Sequence, residues 1–259
     1  MNPLVSIICP CYNQAQYLEE TIESALKSTY RPIEIMIIND GSTDNSMEVA
    51  KKLSEKYQEI TVIDQSNRGV CSARNNGIRN SNGSYILCLD SDDLISDNYI
   101  AEAIMVLENQ PEVKVVYCEA VKFNEQGQKA WRLKPFSRNL LARDNMIYVS
   151  AIFRRSDWER TGGFSEDMLL GRADWDFWIK MLKDGGEVIR LPFIGFYYRL
   201  TGKNSMRKRT NSSETKRKRI AYLNEKYPDF FERELNGPLR FQRTWSKPYN
   251  TLLKLLGKL

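Results

Sequence analysis

The sequence predicts an α/β protein with a mostly parallel sheet flanked by helices, followed by a basic helical extension. In the first hundred residues, short apolar runs alternate with stretches whose apolar residues recur at helical spacing. Strands and helices that alternate in this way form right-handed βαβ units around a parallel sheet. Residues 207–259 contain fourteen Lys and Arg against five Asp and Glu, although the whole chain has a net charge of only +5. We therefore expect an α/β domain over residues 1–206 and a basic helical extension over residues 207–259.

The elements of the first half follow from the apolar pattern in order along the chain. Strands are expected at Val5–Cys9, Ile33–Ile38, Ile60–Ile63 and Tyr85–Leu89. Helices are expected at Gln14–Lys27, Met47–Tyr57, Val70–Ile78 and Asp97–Asn109. Ser42 or Thr43 is the expected N-cap of the second helix.

The second half has a different rhythm and is expected to extend the same sheet. VKVVYCEAVKF and KAWRLKPF predict two strands joined at Glu125–Gln128, and Tyr148–Phe153 predicts another strand. A helix is expected over Ala173–Lys183, and EVIRLP and FIGFYYRL predict two further strands.

Composition narrows the possible functions. The 259 residues are 42% hydrophobic and 27% charged, as in ordinary globular proteins, and no window approaches the roughly 18 apolar residues of a membrane-spanning helix. The N-terminus does not resemble a signal peptide, so a cytoplasmic protein is expected. The chain has no histidine, which excludes histidine bases, Ser-His-Asp triads and most zinc enzymes. Acid–base chemistry must then come from carboxylates, Lys, Tyr or Cys.

Polar clusters follow three of the predicted strands, at Pro10–Asn13, Asn39–Ser42 and Asp90–Asp93. In parallel sheets, ligands bind beyond the carboxyl ends of the strands, so these clusters predict one shared site. In LDSDD, Asp92 is the predicted ligand of a hard divalent cation, Mn²⁺ or Mg²⁺, and Asp90 could accept from a ribose hydroxyl. Asp93 would assist Asp92 or cap the next helix. All three could instead be ordinary turn carboxylates.

Other residues offer complementary chemistry. Tyr12 provides an aromatic face for a nucleobase, and Asp40 could accept the imino hydrogen of a uracil. Arg74 could reach a diphosphate. Asp174, flanked by two tryptophans, is a candidate general base, with Asp176 as its rival. Burial would raise the pKa of Asp174 and the helix dipole would lower it, so the sequence leaves the direction open.

In these residues and in the motifs that contain them, the chain resembles the family 2 glycosyltransferases, which have the Rossmann-like GT-A fold. The resemblance covers residues 4–206 and depends on several motifs in a fixed order: VSIICPCYNQAQYLEETIESAL, IEIMIINDGSTDNS, NRGVCSARNNGI, GSYILCLDSDD, GGFSEDM, ADWDFWIKM and YYRL.

The resemblance implies an inverting transfer of a sugar from a nucleotide-diphosphate donor, with UDP-sugars favoured, to an acceptor hydroxyl on a glycan or lipid-linked glycan. It implies that Asp174 is the catalytic base and that Asp92 binds the metal. It also implies a set of donor contacts: Pro10, Tyr12, Asp40, Arg74, Asp90 and Ser91.

Two positions depart from the family pattern. Ala173 stands where the family usually has Glu before the catalytic Asp, and Thr201 stands where many relatives have His after Tyr-Arg. Arg199 or Lys203 could take over a phosphate or acceptor contact on that side. A catalytically silent nucleotide-sugar binder therefore stays open. A sugar-phosphate nucleotidyltransferase fits less well, because CPCYNQAQ has no glycine for a phosphate loop.

The basic extension has several interpretations. The runs at Arg207–Arg209 and Lys216–Arg219 could be solvated helix surface, nucleic-acid contacts or contacts with anionic lipid. The final segment interleaves basic residues with Phe241, Trp245, Tyr249 and leucines, which is typical of helices lying at a membrane interface. Peripheral membrane contact and packing against the body or a second subunit are the leading expectations. Nucleic acid is not expected as a partner.

Overall fold

The computed structural model describes residues 2–201 and 210–259. The strands are β1 (Val5–Cys11), β2 (Ile33–Asp40), β3 (Ile60–Gln65), β4 (Tyr85–Cys88), β5 (Leu94–Ile95), β6 (Val113–Asn124), β7 (Gly127–Trp131), β8 (Ile152–Arg154) and β9 (Glu187–Arg199). The helices are α1 (Ala15–Leu26), α2 (Ser46–Lys56), α3 (Val70–Arg79), α4 (Tyr99–Asn109), α5 (Arg138–Leu141), α6 (Arg155–Thr161), α7 (Ala173–Leu182), α8 (Ser213–Lys226), α9 (Pro228–Leu235) and α10 (Ser246–Leu255).

The strands of the described chain form one sheet in the order β3-β2-β1-β4-β8-β6-β9-β5, with β7 paired to β6. The first four are parallel, and all seven residues of β1 are buried, as expected for a strand covered by helices on both faces. Beyond β4 the sheet is mixed. β8 is antiparallel to both β4 and β6, whereas β9 is parallel to β6. The predicted α/β class and the extension of the same sheet into the second half are confirmed.

The predicted N-cap of the second helix is wrong. α2 begins at Ser46 with Asn45 as its N-cap residue, so neither Ser42 nor Thr43 holds that position. The backbone N–H of Ser46 donates to Asp44 Oδ1 at 2.9 Å, so a carboxylate outside the cap position satisfies one free amide of the first turn.

Two of the later strands also differ from prediction. The strand predicted at Tyr148–Phe153 begins only at Ile152 and ends at Arg154. The residues before it turn, and the Tyr148 hydroxyl accepts from Cys118 N at 2.9 Å. The two strands predicted from EVIRLP and FIGFYYRL are the single strand β9. Its pairing with β6 jumps from Leu191 to Ile194. This irregularity lies at Pro192, which has no N–H to donate to the neighbouring strand.

The residues from 210 onward pack on the body. Leu223 in α8, Phe231 in α9 and Leu235 belong to the same apolar core as the sheet. The carboxylate of Asp176 in α7 is fully buried, with Lys226 Nζ at 3.1 Å and a hydrogen bond from the Tyr227 hydroxyl at 2.7 Å. The predicted boundary between residues 206 and 207 lies outside the described residues and stays a prediction. No described helix is long and apolar enough to span a bilayer.

We predict that Asp176→Ala destabilises the protein by about 1–3 kcal/mol, because it leaves the buried Tyr227 hydroxyl without its acceptor and the partly exposed Lys226 ammonium without its carboxylate. The measurement is urea unfolding followed by circular dichroism. Glu48→Ala is the matched control, since it breaks an ion pair with Lys52 in which both side chains are exposed, and no measurable change is expected. A free energy of unfolding for Asp176→Ala equal to that of the wild type would contradict the assigned role.

Candidate active site

The parallel strands β1, β2 and β4 end at the same edge of the sheet, and the loops that follow the first two are joined by hydrogen bonds. Asn13 Oδ1 accepts from Thr43 N at 2.7 Å, and Ala15 N donates to Asp44 Oδ2 at 3.1 Å. Next to this junction, the Tyr12 side chain is 46% exposed. Its ring is therefore accessible to a ligand, whereas Pro10 lies buried within β1.

Asp40 ends β2 and is buried, and its carboxylate holds the loop that leads into α3. Oδ1 accepts from Arg68 N at 2.9 Å and from the Gln65 side chain at 2.8 Å, and Oδ2 accepts from Gly69 N at 3.0 Å. Gly69 has a φ of +87°, which favours glycine at this turn. Because Oδ2 takes only one of these bonds, it keeps capacity for a further donor such as the predicted nucleobase.

Arg74 lies on the inner face of α3 and is 4% exposed. A Cβ at Gly77 would lie 2.6 Å from Ile8 Cγ2, so only glycine allows α3 to pack this closely on the sheet. Arg74 Nη2 donates to Asp90 Oδ1 at 2.5 Å, and its Nε has no hydrogen-bond partner among the described residues. In this structure Arg74 neutralises Asp90. Its predicted contact with a diphosphate stays a prediction.

The carboxylates that follow β4 have distinct environments. Burial, and next the negative charge of Asp90, raise the pKa of Asp92 to about 6. Asp93 is buried and accepts from Arg199 N at 2.8 Å, and burial followed by the charge of Asp92 raises its pKa. Asp93 does not cap α4, whose N-cap residue is Asn98. Ser91 is buried beside the Cys11 thiol.

Arg199 holds the loop that contains these carboxylates. Its Nε donates to the backbone oxygen of Asp92 at 2.8 Å, and its Nη2 lies 2.6 Å from Glu20 Oε2. The guanidinium also lies 4.4 Å from the ring centre of Phe123. These partners differ from the phosphate or acceptor contact that the sequence suggested for Arg199, and they make it a support of the loop. Lys203, the alternative candidate, lies outside the described residues.

Asp174 lies in the first turn of α7, as predicted. Its Oδ2 accepts from Asn145 Nδ2 at 2.7 Å, and its Oδ1 accepts from Trp175 N at 2.9 Å. Burial raises the pKa of Asp174, although Arg172 and Arg74 oppose this effect. The direction that the sequence left open is therefore upward, which favours a general base. Asp176 is enclosed by Lys226 and Tyr227, so it does not compete for this role.

Two cavities meet at Asp90 and Asp174, which line both together with Val149 and Arg172. The cavity on the side of α3, of about 310 Å³, includes Gly69 and Arg74 and is called here the α3-side cavity. The other, of about 410 Å³, includes Trp131 and residues of α8 and is called the tail-side cavity. Asp40 adjoins the first through Gly69. Asp92 lines neither cavity, but the charge of Asp90 raises its pKa, so Asp40 and Asp92 adjoin the cleft that Asp90 and Asp174 line.

Sequence reasoning missed several residues of the cleft. Asn145 carried no signal, because it lies in an irregular segment 29 residues from its partner Asp174. Arg172 has a φ of +59°, an unusual backbone conformation that no motif predicts. Lys216 and Arg219 belong to a visible basic run, but that run is not uniform surface: Arg219 is 3% exposed, and both residues line the tail-side cavity.

Comparison with known proteins agrees with this geometry. The chain is 31% identical over 186 residues to chondroitin synthase of Pasteurella multocida strain Pm70, a match that spans 71% of this chain and 19% of that one. It is 32% identical over 198 residues to an uncharacterized glycosyltransferase of Rickettsia typhi, spanning 70% of this chain and 59% of that one. The chain thus spans only part of the length of these curated relatives.

Solved structures share the fold. S. aureus TarS 1–349 in complex with UDP-GlcNAc aligns with a TM-score of 0.70 at 19% identity, covering 98% of this chain and 76% of that one. The mannosyltransferase PcManGT from Pyrobaculum calidifontis, in complex with GDP-Man and Mn²⁺, aligns with a TM-score of 0.66 at 19% identity, covering 99% and 75%. At this identity the likeness shows the fold alone, and it confirms the predicted GT-A type.

The family model that matches the sequence is that of glycosyl transferase family 2, over residues 6–176. That range contains the ends of β1, β2 and β4, the whole of α3 and the helix turn that carries Asp174. The match covers most of the chain and every carboxylate of the cleft, so we conclude that this chain belongs to glycosyl transferase family 2.

Proposed function

We propose that this chain is an inverting glycosyltransferase, which moves a sugar from a nucleotide-diphosphate donor to an acceptor hydroxyl in polysaccharide or glycoconjugate assembly. Asp174 is the main support for this proposal, because it lines both cavities and its carboxyl group has a raised pKa. Relatives and neighbours support it by name: one is a chondroitin synthase, and others bind UDP-GlcNAc or GDP-Man. Asp40 and family tendency favour a uridine nucleotide.

In the proposed reaction, Asp174 accepts the proton of the acceptor hydroxyl as its oxygen attacks the anomeric carbon of the donor. The bond from that carbon to the diphosphate breaks on the opposite face, and the nucleoside diphosphate leaves with the electron pair. General-base help of this kind contributes on the order of 10²–10⁴-fold. Asn145 holds Asp174 in place at 2.7 Å, so orienting the base does not require a carboxylate at Ala173.

The carboxylates after β4 fit a divalent cation, Mn²⁺ or Mg²⁺. No group of three or more His, Cys, Asp or Glu side chains within residues 2–201 and 210–259 encloses a metal, so phosphate oxygens and water must complete any coordination. Asp92 would hold the ion, because Asp90 is neutralised by Arg74 and Asp93 is occupied by Arg199 N. When bound, the ion would neutralise negative charge on the leaving diphosphate.

For the base, we predict that Asp174→Asn lowers kcat by roughly 10²–10⁴-fold while donor affinity changes little, because the amide cannot accept the proton. In the wild type, the carboxylate is protonated as pH falls through its raised pKa, so activity should decline at a higher pH than for an exposed Asp. The measurements are initial rates against pH and calorimetric titration of the donor. Asp184→Asn, an exposed acid just after α7, is the control and should keep full activity. Full activity of Asp174→Asn would refute the assignment.

For the metal, we predict that a UDP-sugar and Mn²⁺ together raise the melting temperature more than the sum of their separate effects, because the diphosphate completes the coordination. Asp92→Ala should abolish this synergy. Asp97→Ala provides a control carboxylate near the same loop. A thermal shift screen of nucleotide-sugars with and without Mn²⁺ measures both points and identifies the base. Undiminished synergy in Asp92→Ala would show that the metal ligand lies elsewhere.

We also propose that α10 and the turn before it contact an anionic membrane surface. On α10 and the turn before it, an apolar stripe is exposed, with Trp245 at 67%, Leu252 at 51% and Leu255 at 81%. The opposite side of the helix faces the body through the buried Asn250, so this stripe is available for contact. Exposed lysines beside the stripe, Lys247 among them, match the charge of anionic headgroups. Membrane contact would bring the active site to a lipid-linked acceptor.

We predict that the protein binds vesicles containing phosphatidylglycerol more strongly than vesicles of phosphatidylcholine alone, and that added salt weakens this binding. The triple variant Trp245→Ser, Leu252→Ser, Leu255→Ser should lose most of the binding in a co-sedimentation assay. Met105→Ser, which removes an exposed apolar side chain of α4, is the control and should bind like the wild type. Unchanged binding by the triple variant, or a dimer that dissociates in it, would overturn the membrane assignment.

A further inference from the structure

The tail-side cavity is lined by an unusual number of cations. Besides Lys122 of β6, three guanidinium groups and one ammonium group line it from three different parts of the chain: Arg172, Lys216, Arg219 and Arg243. Arg172 precedes α7, whereas the other three belong to the basic C-terminal extension. The extension therefore builds one wall of the cleft that contains Asp174.

These cations have too few carboxylates to balance them. Arg172 and Arg243 share a single carboxylate, that of Asp144, with Arg243 Nη1 at 2.8 Å. Among the described residues, Arg219 donates to backbone oxygens, those of Leu170 and Thr210. Within residues 2–201 and 210–259 no carboxylate lies within 4 Å of the charged nitrogens of Arg219 or Lys216. The segment outside them, residues 202–209, has no Asp or Glu in its sequence.

The carboxylates of the cavity do not remove this excess. Asp90 is paired with Arg74, and Asp93 accepts from the backbone of Arg199. Asp174 is the remaining acid of the cavity. Burial first, and then the positive charges of Arg172 and Arg243, lower the pKa of Arg219 to about 10. Like charges held together at a buried site are stabilised when an anion binds between them.

The position of the cations relative to Asp174 indicates which substrate they face. Among the predicted donor contacts, Tyr12 follows β1, Asp40 ends β2 and Arg74 lies in α3. Arg172 lines both cavities, whereas Lys216, Arg219 and Arg243 line the tail-side cavity and not the α3-side cavity. The tail-side cavity also contains the aromatic side chains of Trp131 and Tyr148, which suit the faces of sugar rings. Inverting transfer places the acceptor on the side of the anomeric carbon away from the diphosphate.

A third cavity, of about 420 Å³, continues the tail-side cavity outward and is called here the outer cavity. The two share Trp131 and Arg243. The outer cavity has further cations, Arg132, Lys134 and Arg143, and Asp144 is its only acid among the described residues. Arg143 Nε is buried without a hydrogen-bond partner within the same residues. A chain longer than one sugar could therefore continue from Asp174 along a cationic wall.

From this juxtaposition we infer that the acceptor carries an anionic group, a carboxylate or a phosphate, which Arg172, Lys216 and Arg219 bind beside the reactive hydroxyl. The inference rests on the proposed glycosyl transfer and names the class of its acceptor. It gives the basic extension a role in acceptor recognition, separate from any contact of α10 with a membrane.

The test compares pairs of probes that differ only in the anionic group: methyl glucuronoside with methyl glucoside, and glycerol phosphate with glycerol. Binding to the full chain is measured by calorimetry in the presence of UDP and Mn²⁺. The anionic member of at least one pair should bind roughly tenfold more tightly, and this preference should weaken as salt is added. The pair that shows the preference distinguishes a carboxylate from a phosphate acceptor.

Lys216→Gln should reduce the preference roughly three- to tenfold and leave the affinity for the UDP-sugar unchanged. Arg219→Gln should reduce it further, with circular dichroism confirming that this buried variant is folded. Lys218→Gln is the matched control, since this lysine of the same helix is exposed and paired with Glu214. It should behave like the wild type.

Equal binding of charged and neutral probes by the wild type would overturn the inference. So would an equal loss of UDP-sugar affinity in Lys216→Gln, because the cations would then serve the donor diphosphate. Failure of the proposed function looks different: the wild type would show no thermal shift with any nucleotide-sugar. If the donor binds and the anionic preference is absent, only the inference about the acceptor fails.

Discussion

The parallel pairing of β2, β1 and β4 is the constraint on which the proposed active site depends. Parallel strands must end at the same edge of a sheet, so the loops after these three strands are brought together whatever their sequence. Asp40 then fixes the loop before α3 through two backbone amides. Because α3 packs closely on the sheet at Gly77, Arg74 reaches Asp90 and neutralises it. The charge pattern of the cleft follows from this chain of contacts.

The second half of the chain supplies the side of the cleft that contains Asp174, the proposed base. The antiparallel strand β8 links the parallel strands to β6 and β9, and α7 packs behind it with Phe177 against Phe153. Asp174 therefore stands at the start of a helix whose tryptophans are buried in the core. A base mounted on such a helix has little freedom to move, which suits a reaction that requires alignment of hydroxyl, anomeric carbon and leaving group.

The C-terminal extension is joined to this arrangement by buried polar contacts as well as by apolar packing. The carboxylate of Asp176 contacts Lys226, the last residue of α8, and Tyr227, the residue after it. Arg219 of α8 donates to the backbone oxygen of Leu170. Two neighbouring acids of α7 thus have separate tasks: Asp174 faces the cleft and Asp176 faces the extension. One sequence motif combines chemistry and architecture because successive helix positions point in different directions.

The sequence alone determined the α/β class and, through the absence of histidine, that acid–base chemistry must come from carboxylates, Lys, Tyr or Cys. It also predicted ligand sites at the strand ends. These features depend on local pattern, such as apolar periodicity and the order of motifs, which the chain displays directly. The family resemblance already favoured Asp174 over Asp176 as the proposed base, but the enclosure of Asp176 and the direction of the Asp174 pKa shift came only from tertiary structure. Both depend on burial and on partners such as Asn145 and Lys226, which are distant in sequence.

In the basic extension, too, the sequence shows the composition and only the tertiary structure shows which residues are buried. Its composition is visible in the sequence, but a run of lysines and arginines has the same appearance whether it faces solvent, lipid or a cleft. Folding buries Arg219 and exposes its neighbour Lys218, because one side of α8 packs on the body and the other does not. Packing between elements far apart in the chain therefore determines which cations line the cleft. The local sequence does not show this packing.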